Sequence, residues 1–181
     1  MANLIKQFLS VTIIMLVCFT QAYALDDTQK ESYRLGQGDR IIIKVYEQPD
    51  LTIETQLNDR GTINFPFIGS VNLQGVSVEQ AQELIYAGLK DDYLVDPNVF
   101  VSVIEYRPFY IHGYVNRAGG YPYQPGMTLS QAIALAGGMT ERGSKEKIYI
   151  TREGKVQSLQ KASFDSPIQA GDTIVINQRF F

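Results

Sequence analysis

Tyr33-Arg34-Leu35-Gly36-Gln37-Gly38-Asp39-Arg40-Ile41-Ile42-Ile43-Lys44-Val45 is the stretch whose reading decides the fold, because a shortened copy returns near the C-terminus as Ala170-Gly171-Asp172-Thr173-Ile174-Val175-Ile176. In both, a Gly-Asp pair stands directly before β-branched apolar residues, the pattern of a tight turn feeding a strand. Glycine accepts positive φ at the turn, and the aspartate is placed to bond downstream backbone N–H groups. Two such units bracketing most of the chain predict two β-containing halves. The three consecutive isoleucines predict a first strand buried on both faces.

Outward from that stretch, the 181 residues carry 45% hydrophobic and 19% charged residues, an ordinary globular balance. The first residues read differently. Lys6, the apolar run 8–20 and Ala22-Tyr23-Ala24 form a secretory signal with a small-residue cleavage site, so residues 1–24 are expected to be removed and 25–32 to be a polar lead-in. The apolar run is too short to span a bilayer. Cys18, the single cysteine, lies inside that signal, and Val17 before it is too bulky for a lipoprotein site; lipidation is not expected, and the exported chain would have no disulfide. The exported part would carry 15 basic and 19 acidic residues, a net charge near −4 that argues against a nucleic-acid binder.

Along the exported chain, Leu51 to Leu57 alternates as a second strand after a break at Gln48-Pro49-Asp50, and Asn58-Asp59-Arg60-Gly61 predicts a hairpin into 62–65. Ser77 and Gln80 have capping-box spacing before a helix with Val78, Ala81, Leu84, Ile85 and Leu89 inward. Asn98 to Arg107 alternates as a strand, and Arg107-Pro108 marks a boundary. The second half starts with a strand over 109–115, then Asn116 to Pro122, a loop too glycine-rich for an element interior. Thr128 and Gln131 cap a second helix with Leu129, Ala132, Ile133 and Ala136 inward, ended by Gly137-Gly138. A hairpin around Glu153-Gly154 and the strand after Asp172 complete an α+β pattern.

Taken in order, Leu35-Gly36-x-Gly38-Asp39, Gly61-Thr62-Ile63-x-Phe65-Pro66-x-x-Gly69, Asp96-Pro97-x-Val99-x-Val101, Gly113-x-Val115 and Ala136-Gly137-Gly138 resemble the motifs of bacterial outer-membrane polysaccharide export proteins, the Wza-like OPX family. The resemblance covers nearly all of the exported chain and ends with Gly171-Asp172. It implies an N-terminal polysaccharide-export domain over 33–107 and a β-grasp domain of the SLBB type over 109–181. It further implies a homo-oligomeric ring in the periplasm, associated with the outer membrane and forming a conduit for capsular or exopolysaccharide. The implied partners are an inner-membrane co-polymerase and the polysaccharide cargo. The chain stops after one β-grasp module, which resembles the short class and implies a separate outer-membrane β-barrel partner. Ala118-Gly119-Gly120, where relatives often have Pro-Gly, is expected to loosen its loop.

No residue set points to catalysis or to a cofactor. His112 is the single histidine, so zinc would need mostly carboxylates, and no G-x-S-x-G elbow surrounds a serine for a triad. Gly36-x-Gly38 precedes a strand, where a dinucleotide loop follows one. Asp91-Asp92 reads as a solvated loop, and Phe181 as a strand end, because two capped helices do not suit a membrane barrel. Tyr106, Tyr110, Tyr114, Tyr121 and Tyr123 are the candidates for glycan or interface contacts. The expected function is therefore non-enzymatic polysaccharide export. The competing reading is a monomeric periplasmic glycan-binding or glycan-modifying protein.

Overall fold

The computed structural model describes residues 33–152 and 160–179. The expected signal segment 1–24 and lead-in 25–32, with Cys18, the expected turn at Glu153-Gly154 and Phe181 lie outside the described residues.

The first strand, β1 (Arg40–Val45), is the middle of a three-stranded antiparallel sheet, flanked by β2 (Gln48–Gln56) and β5 (Val99–Glu105). Its burial alternates: Ile41, Ile43 and Val45 are buried, Arg40 and Lys44 exposed, and Ile42 half-buried. The isoleucine run is therefore buried on one face, not both, because only one side of this sheet is covered. The predicted break at Gln48-Pro49-Asp50 also moves. The turn is Tyr46-Glu47, with Glu47 at φ 60°, and Pro49 sits within β2. That strand is at the sheet edge, where a residue without an N–H leaves no ladder bond unmade.

Asn58 forms the predicted turn, its Oδ1 accepting from the N–H groups of Arg60 and Thr62 at 3.0 Å each. The flanking strands nevertheless do not pair. β3 (Thr62–Phe65) forms a separate two-stranded hairpin with β4 (Gly69–Asn72), so the turn changes direction between sheets. Helix α1 (Val78–Leu89) carries the full capping box, Ser77 Oγ accepting from Gln80 N–H at 3.2 Å and Gln80 Oε1 from Ser77 N–H at 2.9 Å. Ala81, Ile85 and Leu89 face the first core, but Leu84 is exposed, since the stripe that meets the strands is narrower than the apolar periodicity. This core runs from Leu35 to Val101; each large aliphatic side chain buried in it contributes about 2 kcal/mol.

A second core begins at Phe109. Its sheet has the order β7-β6-β10-β8-β9, with β6 (Phe109–Gly113), β7 (Gly119–Tyr121), β8 (Gly143–Thr151), β9 (Gln160–Lys161) and β10 (Thr173–Gln178). The first and last strands lie side by side in parallel, and α2 (Leu129–Leu135) buries Leu129, Ala132 and Ile133 against the inner face. The glycine-rich loop is thus partly a strand, correcting the expectation of a loosened loop. Gly120 lies opposite Tyr110, whose ring would be 3.0 Å from any Cβ there, so the missing side chain makes room for the aromatic. Gly113 is fixed by a closer approach: at φ 93°, a Cβ would meet the Ile176 carbonyl oxygen.

Candidate functional site

The two Gly-Asp turns have one construction. Asp39 N–H donates to Gly36 O at 3.1 Å, and Asp172 N–H donates to Gln169 O at 3.2 Å. Gly38 and Gly171 occupy the third turn position at φ 88° and 82°, which a type II turn demands. In both, the aspartate's Oδ2 accepts at 2.8 Å from the N–H three residues upstream, that of Gly36 or of Gln169. The side chain closes the turn backwards, correcting the expected downstream bond. Positive φ at the glycine is what brings the first residue's N–H under the carboxylate.

The turns stand at opposite ends of the sequence, yet both reach the same dipeptide. Arg107 donates its backbone N–H to Asp39 Oδ1 and its Nη1 to Asp39 Oδ2, each at 2.9 Å. Pro108 O accepts from Gly171 N–H at 3.2 Å, and Tyr110 N–H donates to Asp172 O at 2.8 Å. Asp39 is fully buried and the Arg107 side chain 16% exposed, so this ion pair is shielded from water. Tyr33 completes the cluster, its hydroxyl donating to Asp39 at 2.6 Å and accepting from Arg107 Nη1 at 2.8 Å. Burial, then the bond to Asp39, push the Tyr33 phenol well above its ordinary range. Burial lifts the Asp172 carboxyl to about 6, against the lowering effects of the Gln169 N–H and of Arg152 and Arg107.

The opening stretch is pinned elsewhere too: Leu35 exchanges backbone bonds with Gly75 and Val76, and Gly38 N–H donates to Leu57 O. Gly36 has no room for a side chain, because a Cβ would lie 2.6 Å from Arg107 Nη1.

The five tyrosines do not form one group. Tyr106 and Tyr123 join Tyr33 in an edge-and-stack cluster, with centroids 4.7 Å (Tyr33–Tyr106), 5.7 Å (Tyr106–Tyr123) and 6.5 Å (Tyr33–Tyr123) apart. Burial raises the phenols of Tyr106 and Tyr123 as well. Tyr121 stacks on Phe109 and donates to Arg117 O, while Tyr114 donates to Gln178 Oε1. Tyr110 stands apart, half exposed on the outer face of β6, beside the exposed His112. Sequence reading missed Tyr33 and Arg107; the only signal for either was position, one opening the motif stretch and the other preceding the boundary proline.

The remaining motif glycines and prolines shape backbone. Gly61 takes φ 67°, Pro66 O accepts from Ile68 N–H, and Gly69 takes φ 72° in the β3–β4 turn. Pro97 is buried beneath an open depression of about 400 Å³ between α1 and β5. Gly137 and Gly138, at φ 77° and 86°, end α2 and receive the loop after β6 through Asn116 N–H, which donates to Gly138 O at 3.0 Å. Asp91 and Asp92 are exposed. Among the described residues no cluster of His, Cys, Asp or Glu is placed to hold a metal, and no helix is long and apolar enough to cross a membrane.

A first domain built on Leu35-Gly36-x-Gly38-Asp39, joined at Arg107-Pro108 to a β-grasp domain closed by Gly171-Asp172, defines a polysaccharide-export domain followed by an SLBB domain. The family model described as polysaccharide biosynthesis/export protein matches residues 27–104, and the SLBB domain model matches 108–160, together more than two thirds of the chain. The chain belongs to the Wza-like polysaccharide export family. Among curated relatives, it is 27% identical to the exopolysaccharide production protein ExoF of Rhizobium meliloti, over 82% of this chain and 41% of that protein. It is 29% identical to the polysialic acid transport protein KpsD of Escherichia coli, over 81% of this chain and 28% of the relative. For the EPS I polysaccharide export outer membrane protein EpsA of Ralstonia nicotianae the figures are 28%, 81% and 48%. The chain thus spans less than half the length of each of these relatives.

Proposed function

We propose that this protein is a non-enzymatic component of a polysaccharide export conduit, working in the periplasm in association with the outer membrane. Its export domain is assigned to 33–107 and its β-grasp domain to 109–181. Several copies assemble as a ring, each supplying one segment of wall, so that a hydrophilic polymer passes without touching lipid. The observation that carries this reading is the tandem order of the two family domains with both Gly-Asp turns anchored on Arg107-Pro108. Two domains that each tie their Gly-Asp turn to the connecting Arg107-Pro108 dipeptide, with the Tyr123 ring of the second lying against Tyr33 and Tyr106 of the first, act as one rigid piece, which suits a wall better than a hinged binding cleft. An inner-membrane co-polymerase and an outer-membrane β-barrel are the proposed partners, and Tyr106, Tyr114, Tyr121 and Tyr123 serve structure at and beyond the junction.

The test joins assembly to export. Light scattering on the purified protein should show a ring, alone or with its partners, and deletion of the gene should abolish surface polysaccharide. A strict monomer at high concentration, indifferent to those partners, together with undiminished export, would sink the proposal in favour of a monomeric glycan-binding protein.

A further inference from the structure

The outer face of the β-grasp sheet, opposite α2, carries an arrangement that neither the clamp nor the core uses. The pairing register places His112, Val175, Tyr149 and Lys161 in one row across β6, β10, β8 and β9. Tyr110, Thr173 and Thr151 form the adjacent row. Their neighbours along each strand, Ile111, Ile174, Ile148 and Ile150, point inward to the core, so these residues share the opposite side. Tyr110, His112 and Lys161 are exposed, and Val175, Tyr149, Thr173 and Thr151 half-buried. None of these seven is a carboxylate, and Val175 is the single aliphatic residue among them.

Charge divides along the chain in the same sense. Residues 33–107 contain six basic and eleven acidic residues, a net −5, whereas residues 108–181 contain eight basic and five acidic ones, a net +3. The overall negative charge conceals a cationic second domain.

We infer that this sheet face is a contact surface for an anionic polysaccharide, with Tyr110 and Tyr149 as ring platforms, Lys161 as the cationic contact and His112 as a polar one. Two strands and one row separate the tyrosines, a span of about 12 Å from strand and residue spacings. That exceeds one sugar ring, so the platforms would meet different residues of a chain. A sugar ring presents C–H groups to an aromatic face and hydroxyls to its rim, where the Thr151, Thr173 and phenol hydroxyls lie. A second copy of this chain fits less well, because a protein interface centre wants contiguous apolar surface and this face offers one valine. Contacts of this kind, spread over several weak groups, leave a polymer free to slide. The inference rests on the export reading for its biological setting, but not for its test.

The probe is a fluorescently labelled alginate hexamer, a chain of uronic acids, with an isomalto-oligosaccharide of equal length as the neutral control. Anisotropy with the purified full chain should show alginate binding that weakens with salt, and Lys161→Glu should weaken it about tenfold. Tyr110→Ala and His112→Ala should each weaken it, and His112→Ala, at an exposed position that opens no core, should do so while leaving the unfolding midpoint unchanged. Hydrogen exchange should show protection by alginate on β6, β8 and β10. Absence of alginate binding, equal binding of the neutral control, or insensitivity to Lys161→Glu would overturn the inference. So would protection of the same strands that grows with protein concentration without sugar, which would make the face a contact between copies. A gene deletion that abolishes export while alginate fails to bind removes only this inference. Alginate binding in a protein whose deletion leaves export intact removes only the export reading.

Discussion

Arg107 grips Asp39 twice, through its backbone N–H to Oδ1 and its guanidinium to Oδ2, across 68 residues of sequence. The first contact needs only the chain direction at the end of β5; the second needs the side chain. Removing the side chain therefore leaves a fully buried carboxylate with its backbone donors and the Tyr33 hydroxyl but no counter-charge. Arg107→Ala should cost about 3–5 kcal/mol in urea unfolding. Tyr33→Phe, which removes one hydroxyl from the same cluster, should cost about 1–2 kcal/mol. Equal losses in the two variants would show that the charge is not what matters at the junction.

Gly113 and Gly69 both have positive φ, at 93° and 72°, but only Gly113 faces backbone. At Gly69 an added Cβ meets nothing within 4 Å, so Gly69→Ala should cost only the left-handed conformation, about 1–2 kcal/mol. Gly113→Ala must also push β6 from β10 at the Ile176 carbonyl. Thermal unfolding should place it well below Gly69→Ala, and similar melting temperatures would contradict the close approach.

Asp172 gives a pH dependence with a definite sign. Its folded value, about 6, lies above the ordinary carboxylate value of 3.8, so between them the native state holds a proton that the unfolded chain releases. Its contribution is most favourable below pH 4 and is lost as pH rises to about 6. Asp172→Asn keeps an acceptor for Gln169 N–H but cannot ionise. Urea midpoints measured from pH 4 to 7 should decline more in the wild type than in Asp172→Asn; parallel profiles would remove Asp172 as the titrating group.

The capping box of α1 offers a local test. Ser77 is buried and its hydroxyl accepts from Gln80 N–H, so Ser77→Ala should cost about 1 kcal/mol, with Ser77→Asp recovering part of it. Circular dichroism melts of both variants check this, and a silent Ser77→Ala would mean that the tertiary contacts of α1 hold its first turn unaided.

Sequence alone determined the local devices. Gly-Asp before β-branched runs, capping boxes at Ser77 and Thr128, and Gly137-Gly138 after α2 depend on residues within a few positions of one another, so their chemistry is legible without the fold. The family motifs are made of the same devices, which is why the export and β-grasp domains could be read in order. Tertiary structure decided what depends on distant partners. It chose β4 over β2 as the partner of β3, buried one face of the isoleucine run, and turned Gly119–Tyr121 into a strand against β6. It also divided the tyrosines between the junction, the second core and an open sheet face. The two Gly-Asp turns show both sides of this. Their conformation follows from a glycine at the third position, whereas their convergence on Arg107-Pro108 follows from β5 pairing with β1 and β10 inserting beside β6, long-range pairings that no spacing in the chain records.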